Sequence, residues 1–413
     1  MGRRQINVPQ QLKVLKSHQV VFNVTSESKA EEYLTWNTYF FKLKAFDNKF
    51  GKDPKGNYTH LEFSYLQDLA TIDYHLRRVV SQMTSDIEHA LKVRFNQLLM
   101  RHTSEDGIEV VSKFLGSRDK DDEIMKRSAY TKAMIDKFGA EPPAWLLWET
   151  CSMYVTNDFY RFFLRRIGYE DPVYSLLDGV RFLRNATAHN NCLLTAPAYS
   201  VKPTDKLSEY VEELRANPTN DMDFAPVLEL VGTDPLIHDL ACVLCAHINL
   251  VRSGGMVDSA MQEIGIFLHR MKRHWDWYQS EKNDCGELGA QLRAMETLFR
   301  AFQRFDRSDE RYVLNRQPGR HKKNTVGNVV DDPPFGERRF ENKDALGADR
   351  LQGHPRIRAR AQPRPVTRSN SCHARHSSTH VRPCAIAPVV GSKKYQEPSW
   401  YCRPWTMMPV VRS

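Results

Sequence analysis

Apolar positions recur every three or four residues along almost all of the chain up to about residue 306, the period of helices that each bury one face. The longest such run lacks Pro and Gly and covers about residues 60–100, where Leu61, Leu69, Ile72, Leu76, Met83, Ile87, Leu91 and Phe95 share a stripe. Ser28 and Glu31 have the spacing of a capping box and predict a helix start ahead of Leu34, Phe40 and Leu43. Pro142-Pro143 ends one element and starts another. A helix over about 154–167 is predicted to stop at Gly168, and Asp171-Pro172 opens the next, which leads to His189. Asp234-Pro235 opens a helix predicted to end at Gly254-Gly255, followed by two more over about 258–281 and 286–307. Alternating β-branched runs are nearly absent. The pattern therefore predicts an all-α fold, a bundle of about ten helices.

The periodicity is lost after residue 312, which divides the chain into a helical body, 1–312, and a Pro/Arg-rich tail, 313–413. Eleven of the 21 prolines fall in 316–413. Such a segment buries too little apolar surface to offset its ordering entropy, so the tail is expected to be disordered. It also changes the meaning of the formal charge of +9. Residues 316–413 hold 19 basic and 7 acidic groups, a net of +12, which leaves the body at −3. A nucleic-acid site on the body must then be a local groove.

Eight cysteines show no disulfide-framework spacing, and Cys242-x2-Cys245 sits inside a helical pattern as ordinary core. The most apolar long stretch, 236–251, is interrupted by His238, Asp239, His247 and Asn249, so no membrane span is expected. No signal-length apolar run follows Met1, and the expected location is the reducing cytoplasm. His269 and His274 are five apart, too far round a helix to share a face, and lack clustered carboxylate or thiol partners. Neither a metal site nor a cofactor is expected.

Four blocks carry a family resemblance. Tyr33-Leu34-Thr35-Trp36-Asn37-Thr38-Tyr39-Phe40 is similar to an L-x-x-I-N-Y-Y block, with Trp36 where an aliphatic residue is usual. Asp73, Leu76 and Arg77 match F-D-x-x-L-R, and Ile87-Glu88 with Arg94 resemble the I-E-x-x-x-R that follows it on the same helix, with two more residues before the arginine. Pro143, Trp145 and Glu149 match P-x-W-x-x-x-E, and Arg184-Asn185-Ala186-Thr187-Ala188-His189 matches R-N-x-x-A-H. In order and spacing these resemble the Abi-like abortive-infection proteins, within the HEPN superfamily, over about residues 8–200. Arg-x4-His by itself is weak: three other instances fall in the tail, where no helix orients them. The resemblance implies an HEPN-like helical fold and a metal-independent endoribonuclease acting through Arg184, Asn185 and His189, with Asn190 departing from the usual aromatic or His.

That chemistry needs what these residues supply. Attack by a ribose 2′-hydroxyl on the adjacent phosphate requires a base for the hydroxyl and an acid for the leaving oxygen, and imidazole can serve as either near neutrality. A guanidinium can stabilise the charge gathering on the phosphate oxygens. On a helical wheel the apolar residues Leu176, Leu177, Val180 and Leu183 lie to one side. Asn185 and His189 lie opposite with Arg181 beside them, and Arg184 is at the border. Arg181 and Glu149 are further candidates for substrate binding. Arg77 and Glu88 are expected to form salt bridges within the bundle.

The expected partners are RNA, a second copy of the chain completing the site as a homodimer, and an antitoxin or phage-derived trigger. The alternatives are a non-catalytic HEPN module that binds RNA or protein as a sensor, and a toxin held by its antitoxin.

Overall fold

The computed structural model describes residues 6–102, 106–118, 124–196, 201–217, 221–279 and 285–316; the tail beyond Arg316, with the expectation of its disorder, lies outside them. Among the described residues the regular structure is helical, with isolated bridges and no strand. The first half holds α1 (Val8–Ser17), α2 (Glu27–Trp36), α3 (Phe40–Lys44), α4 (Phe63–Arg101), α5 (Gly107–Gly116), α6 (Lys132–Phe138) and α7 (Ala144–Thr150). The second holds α8 (Met153–Ile167), α9 (Leu177–Ala188), α10 (Asp205–Ala216), α11 (Ala225–Leu230), α12 (Pro235–Leu250), α13 (Gly254–Lys272) and α14 (Gly286–Arg304). The all-α class is as expected. The four helices beyond the expected ten are matched by α3, α6, α7 and α11, which have five to seven residues, too few turns to display a period.

Local chemistry sets the helix ends. The Ser26 hydroxyl accepts from the Lys29 N–H, so α2 begins one residue later, and Ser28 lies inside the helix instead of capping it. Gly168 closes α8 at φ +63°, a conformation that glycine reaches without steric penalty. Asp171 caps a 3-10 turn, Pro172–Leu176, that runs into α9. Asp234 accepts from the Leu236 and Ile237 amides to start α12, with Pro235 in its first turn. That helix stops at Leu250, short of the glycines. Ser253 caps α13, so Gly254 opens a helix where the sequence suggested an end.

The core is centred on α4, α9 and α12. The 39 residues of α4 form its longest element, and α12 is buried on nearly all sides, packing on α4, α9, α10 and α14. A Cβ at Gly179 would stand 2.7 Å from Cβ of Cys242, so the approach of α9 to α12 requires glycine opposite a small side chain. Cys242 and Cys245 are buried core residues, as expected. None of the described helices is long and apolar enough to cross a membrane. The folded chain continues past 312: the Asn315 carbonyl accepts from the Gly254 amide at 3.2 Å, and Arg316 pairs with Asp258 at 3.1 Å.

Candidate functional site at the end of the ninth helix

Helix α9 is held by its apolar face. Leu177, Val180 and Leu183 are buried, whereas Arg184 and Asn185 are half-buried and His189 is exposed. His189 is the C-cap residue, its amide donating to the Asn185 carbonyl at 3.0 Å. Asn190 follows with φ +56°, its amide reaching the Thr187 carbonyl at 3.0 Å while the Asn191 amide reaches Ala186 at 2.8 Å. This is the two-bond Schellman stop, in which asparagine substitutes for glycine. The departure at position 190 thus has a local physical reason: a residue tolerant of the left-handed region ends the helix directly after the histidine.

The loop beyond is fastened to α4 and α3. Buried Asp73 accepts from the Leu193 and Leu194 amides at 2.6 and 3.1 Å and forms an ion pair with Arg77. Arg77 donates in turn to the Asn191 carbonyl at 3.4 Å, and Lys42 donates to the Asn190 carbonyl at 2.9 Å. A buried carboxylate requires this degree of compensation, and its partners fix where α9 ends. Burial holds the Arg77 guanidinium below its ordinary value and pushes the neighbouring Cys192 thiol up.

Arg184 leans toward α4, its Nε 3.5 Å from Oε2 of Glu88, whose other oxygen is 3.3 Å from Nζ of Lys92. Among the described residues no hydrogen bond engages the terminal amines of Arg184, the Asn185 amide or the His189 ring. Their donors and acceptors are free for a ligand.

The other two candidates are elsewhere. Arg181 bonds to Asp178 at 3.1 Å and lays its guanidinium over the rings of Tyr154, in α8, and Phe182, at 5.4 and 4.5 Å. Glu149 is exposed near the end of α7 and has no hydrogen bond or ion pair with Arg184, Asn185 or His189 among the described residues. Arg77 and Glu88 do form salt bridges. What sequence reasoning missed was the partner: nothing in a chain separation this long signals that Glu88 faces Arg184. The i, i+4 spacing of Glu88 and Lys92 was the only local trace.

Beside the end of α9 runs an open groove of about 460 Å³. Tyr74, Arg77, Arg78, Ser81, Gln82 and Ser85 of α4 form one wall; Thr187, Asn190 and Glu263 complete it. Arg78 pairs with Glu263 across it at 3.0 Å.

The sequence profile described as Abi-like protein matches residues 32–195. This span begins within α2 and ends one residue past Leu194, and so contains Lys42, Asp73, Arg77, Glu88, Arg184 and His189. No curated protein sequence and no solved structure shows a significant match.

Proposed function

We propose that the chain, whose residues 32–195 match the Abi-like protein family model, is a phage-defence enzyme that cleaves RNA without a metal. The observation that carries this is the uncommitted hydrogen-bonding capacity of Arg184, Asn185 and His189 on a helix whose opposite face is locked in the core. Glu88 occupies the Nε side of Arg184 and leaves its two terminal amines to meet a phosphate. His189 takes the proton from a ribose 2′-hydroxyl, whose oxygen attacks phosphorus. The bond from phosphorus to the 5′-oxygen breaks, that oxygen receives a proton, and the products are a 2′,3′-cyclic phosphate and a 5′-hydroxyl. Asn185 orients His189 or holds a phosphate oxygen. Because the nucleophile is the 2′-hydroxyl, the substrate is RNA.

One imidazole cannot stand on both sides of an in-line displacement. Five positions along a helix separate Arg184 and His189 by about 140° around its axis. A second copy related by a two-fold axis supplies the missing acid or base, with the two α9 ends facing one another. The test is cleavage of single-stranded RNA by the purified chain in EDTA, with products checked for cyclic phosphate and light scattering at the assay concentration. Cyclic-phosphate products from a dimer are expected. Absence of cleavage refutes the enzyme and favours a binding sensor; a fully active monomer refutes the composite site.

A further inference from the structure

Four large aromatic side chains stand out of the protein at the end of α2, the start of α3 and on α4. Trp36 is 82% exposed, Tyr39 61%, Phe41 71% and Tyr74 49%. Single exposed aromatics are ordinary, but three of these four fall within six consecutive residues, a density that calls for a ligand. Asn190 links them. Lys42, next to Phe41 on α3, donates to its carbonyl, and Asn190 lines the same groove as Tyr74. The aromatic edge therefore borders the residues that directly follow His189.

The same edge gathers cations. Lys42 and Arg77 grip the carbonyls of consecutive residues, Asn190 and Asn191, while the groove adds Arg78. Burial, and then the charge of Arg77, hold the Lys42 ammonium below its ordinary value. Asp73 and Glu263 balance two of these three positive charges. A ligand that carries both anionic groups and flat apolar faces satisfies the whole surface at once. A nucleic-acid strand with unpaired bases is that ligand: its phosphates meet the cations and its bases stack on the rings. A duplex hides the base faces and cannot stack on the rings.

We propose that Trp36, Tyr39, Phe41 and Tyr74 form a stacking seat for unpaired bases of the RNA strand whose scissile phosphate lies at Arg184 and His189. The identity of the strand as RNA rests on the ribonuclease reading; the seat itself is tested by binding alone. The probe is a short fluorescein-labelled 2′-O-methyl oligonucleotide, which lacks the attacking hydroxyl and cannot be cut, presented single-stranded or as a duplex. Wild type is expected to prefer the single strand. The Trp36→Ala/Tyr39→Ala/Phe41→Ala chain should lose about tenfold or more of that affinity, because stacking on each aromatic is a substantial term. Trp36→Phe/Tyr39→Phe should keep most of it. Unchanged affinity in the alanine chain overturns the proposal, as does loss of affinity that appears only together with dissociation of a dimer, which would give the patch to a second copy. If wild type binds through the patch yet leaves unmodified RNA intact, the seat stands and the ribonuclease reading falls.

Discussion

Two clusters in this protein contain an arginine and a histidine on one helix or at its end, and they differ in what their side chains have already bound. At the C-terminal end of α13, Asp68 of α4 accepts from Arg270 at 2.6 Å and from the Tyr278 hydroxyl at 2.8 Å, with Nδ1 of His274 also at 2.8 Å. Trp277 stacks on the His274 ring at 4.0 Å. The Asp68 side chain is 3% exposed and engages all three partners, while Nη1 of Arg270 is buried without one. At the end of α9, Arg184 touches one carboxylate through Nε, and the side chains of Asn185 and His189 have no hydrogen-bond partner among the described residues. Residue types alone would make either cluster a candidate for chemistry. Unspent donors and acceptors at an open surface are what separate the one that can act on a substrate from the one that holds two helices together.

The widest separation between the clusters should come from removing the histidine and arginine of α9. His189→Ala and Arg184→Ala are expected to reduce RNA cleavage by about 10²–10⁴-fold, the range for losing a general acid–base group. Unfolding free energy should move by less than ~0.5 kcal/mol, since neither side chain is in the core. Cleavage rates and urea midpoints on the same preparations check both halves. A variant that unfolds would make these residues structural, like their counterparts on α13.

Asp68→Ala should give the converse. Removing the shared carboxylate leaves the Arg270 guanidinium largely buried without its counter-charge, at a cost of about 3–5 kcal/mol. The chain that remains folded should cleave RNA at the normal rate, because α9 is untouched. A urea midpoint equal to that of wild type would show that the cluster contributes nothing to stability.

Much of this architecture is legible in the sequence because it is periodic. Residues 60–100 could hardly be anything but the long central helix, and Gly168 marks the end of α8 for a steric reason that the sequence carries by itself. Errors arose where several local signals compete. Ser26 and Ser28 both suit a cap, and the choice between them depends on which hydroxyl reaches a free amide in three dimensions. Gly254-Gly255 reads as a stop, yet Ser253 and the pairing with Asn315 make it a start. The polar face of α9 was legible. The partners that define its surroundings were not: Glu88 beside Arg184, and Asp73 beneath the Leu193 and Leu194 amides, depend on how α4 lies against α9.

A third histidine provides the finest test of saturation against exposure. His247 of α12 is completely buried, with Nε2 3.4 Å from Asp86, its ring edge-on to Phe302 and Nδ1 without a partner. Burial holds its pKa below the ordinary histidine value, outweighing the upward pull of Asp86, and the charge of Arg307 adds to the depression. The unfolded chain therefore takes up a proton on this ring at a higher pH than the folded chain does. Above about pH 6.5, the ordinary histidine pKa, the ring is neutral in both states and its contribution to stability is complete. As pH falls below that value the unfolded state gains the proton first, and stability drops until the folded pKa is reached. The slope for one such proton is at most about 1.4 kcal/mol per pH unit. Urea midpoints taken between pH 7.5 and 5 (a window chosen to bracket ~6.5) should fall more steeply for wild type than for His247→Gln, which cannot titrate. Parallel curves for the two chains would mean that the ring finds enough compensation inside the fold to hold a proton as readily as it does in water.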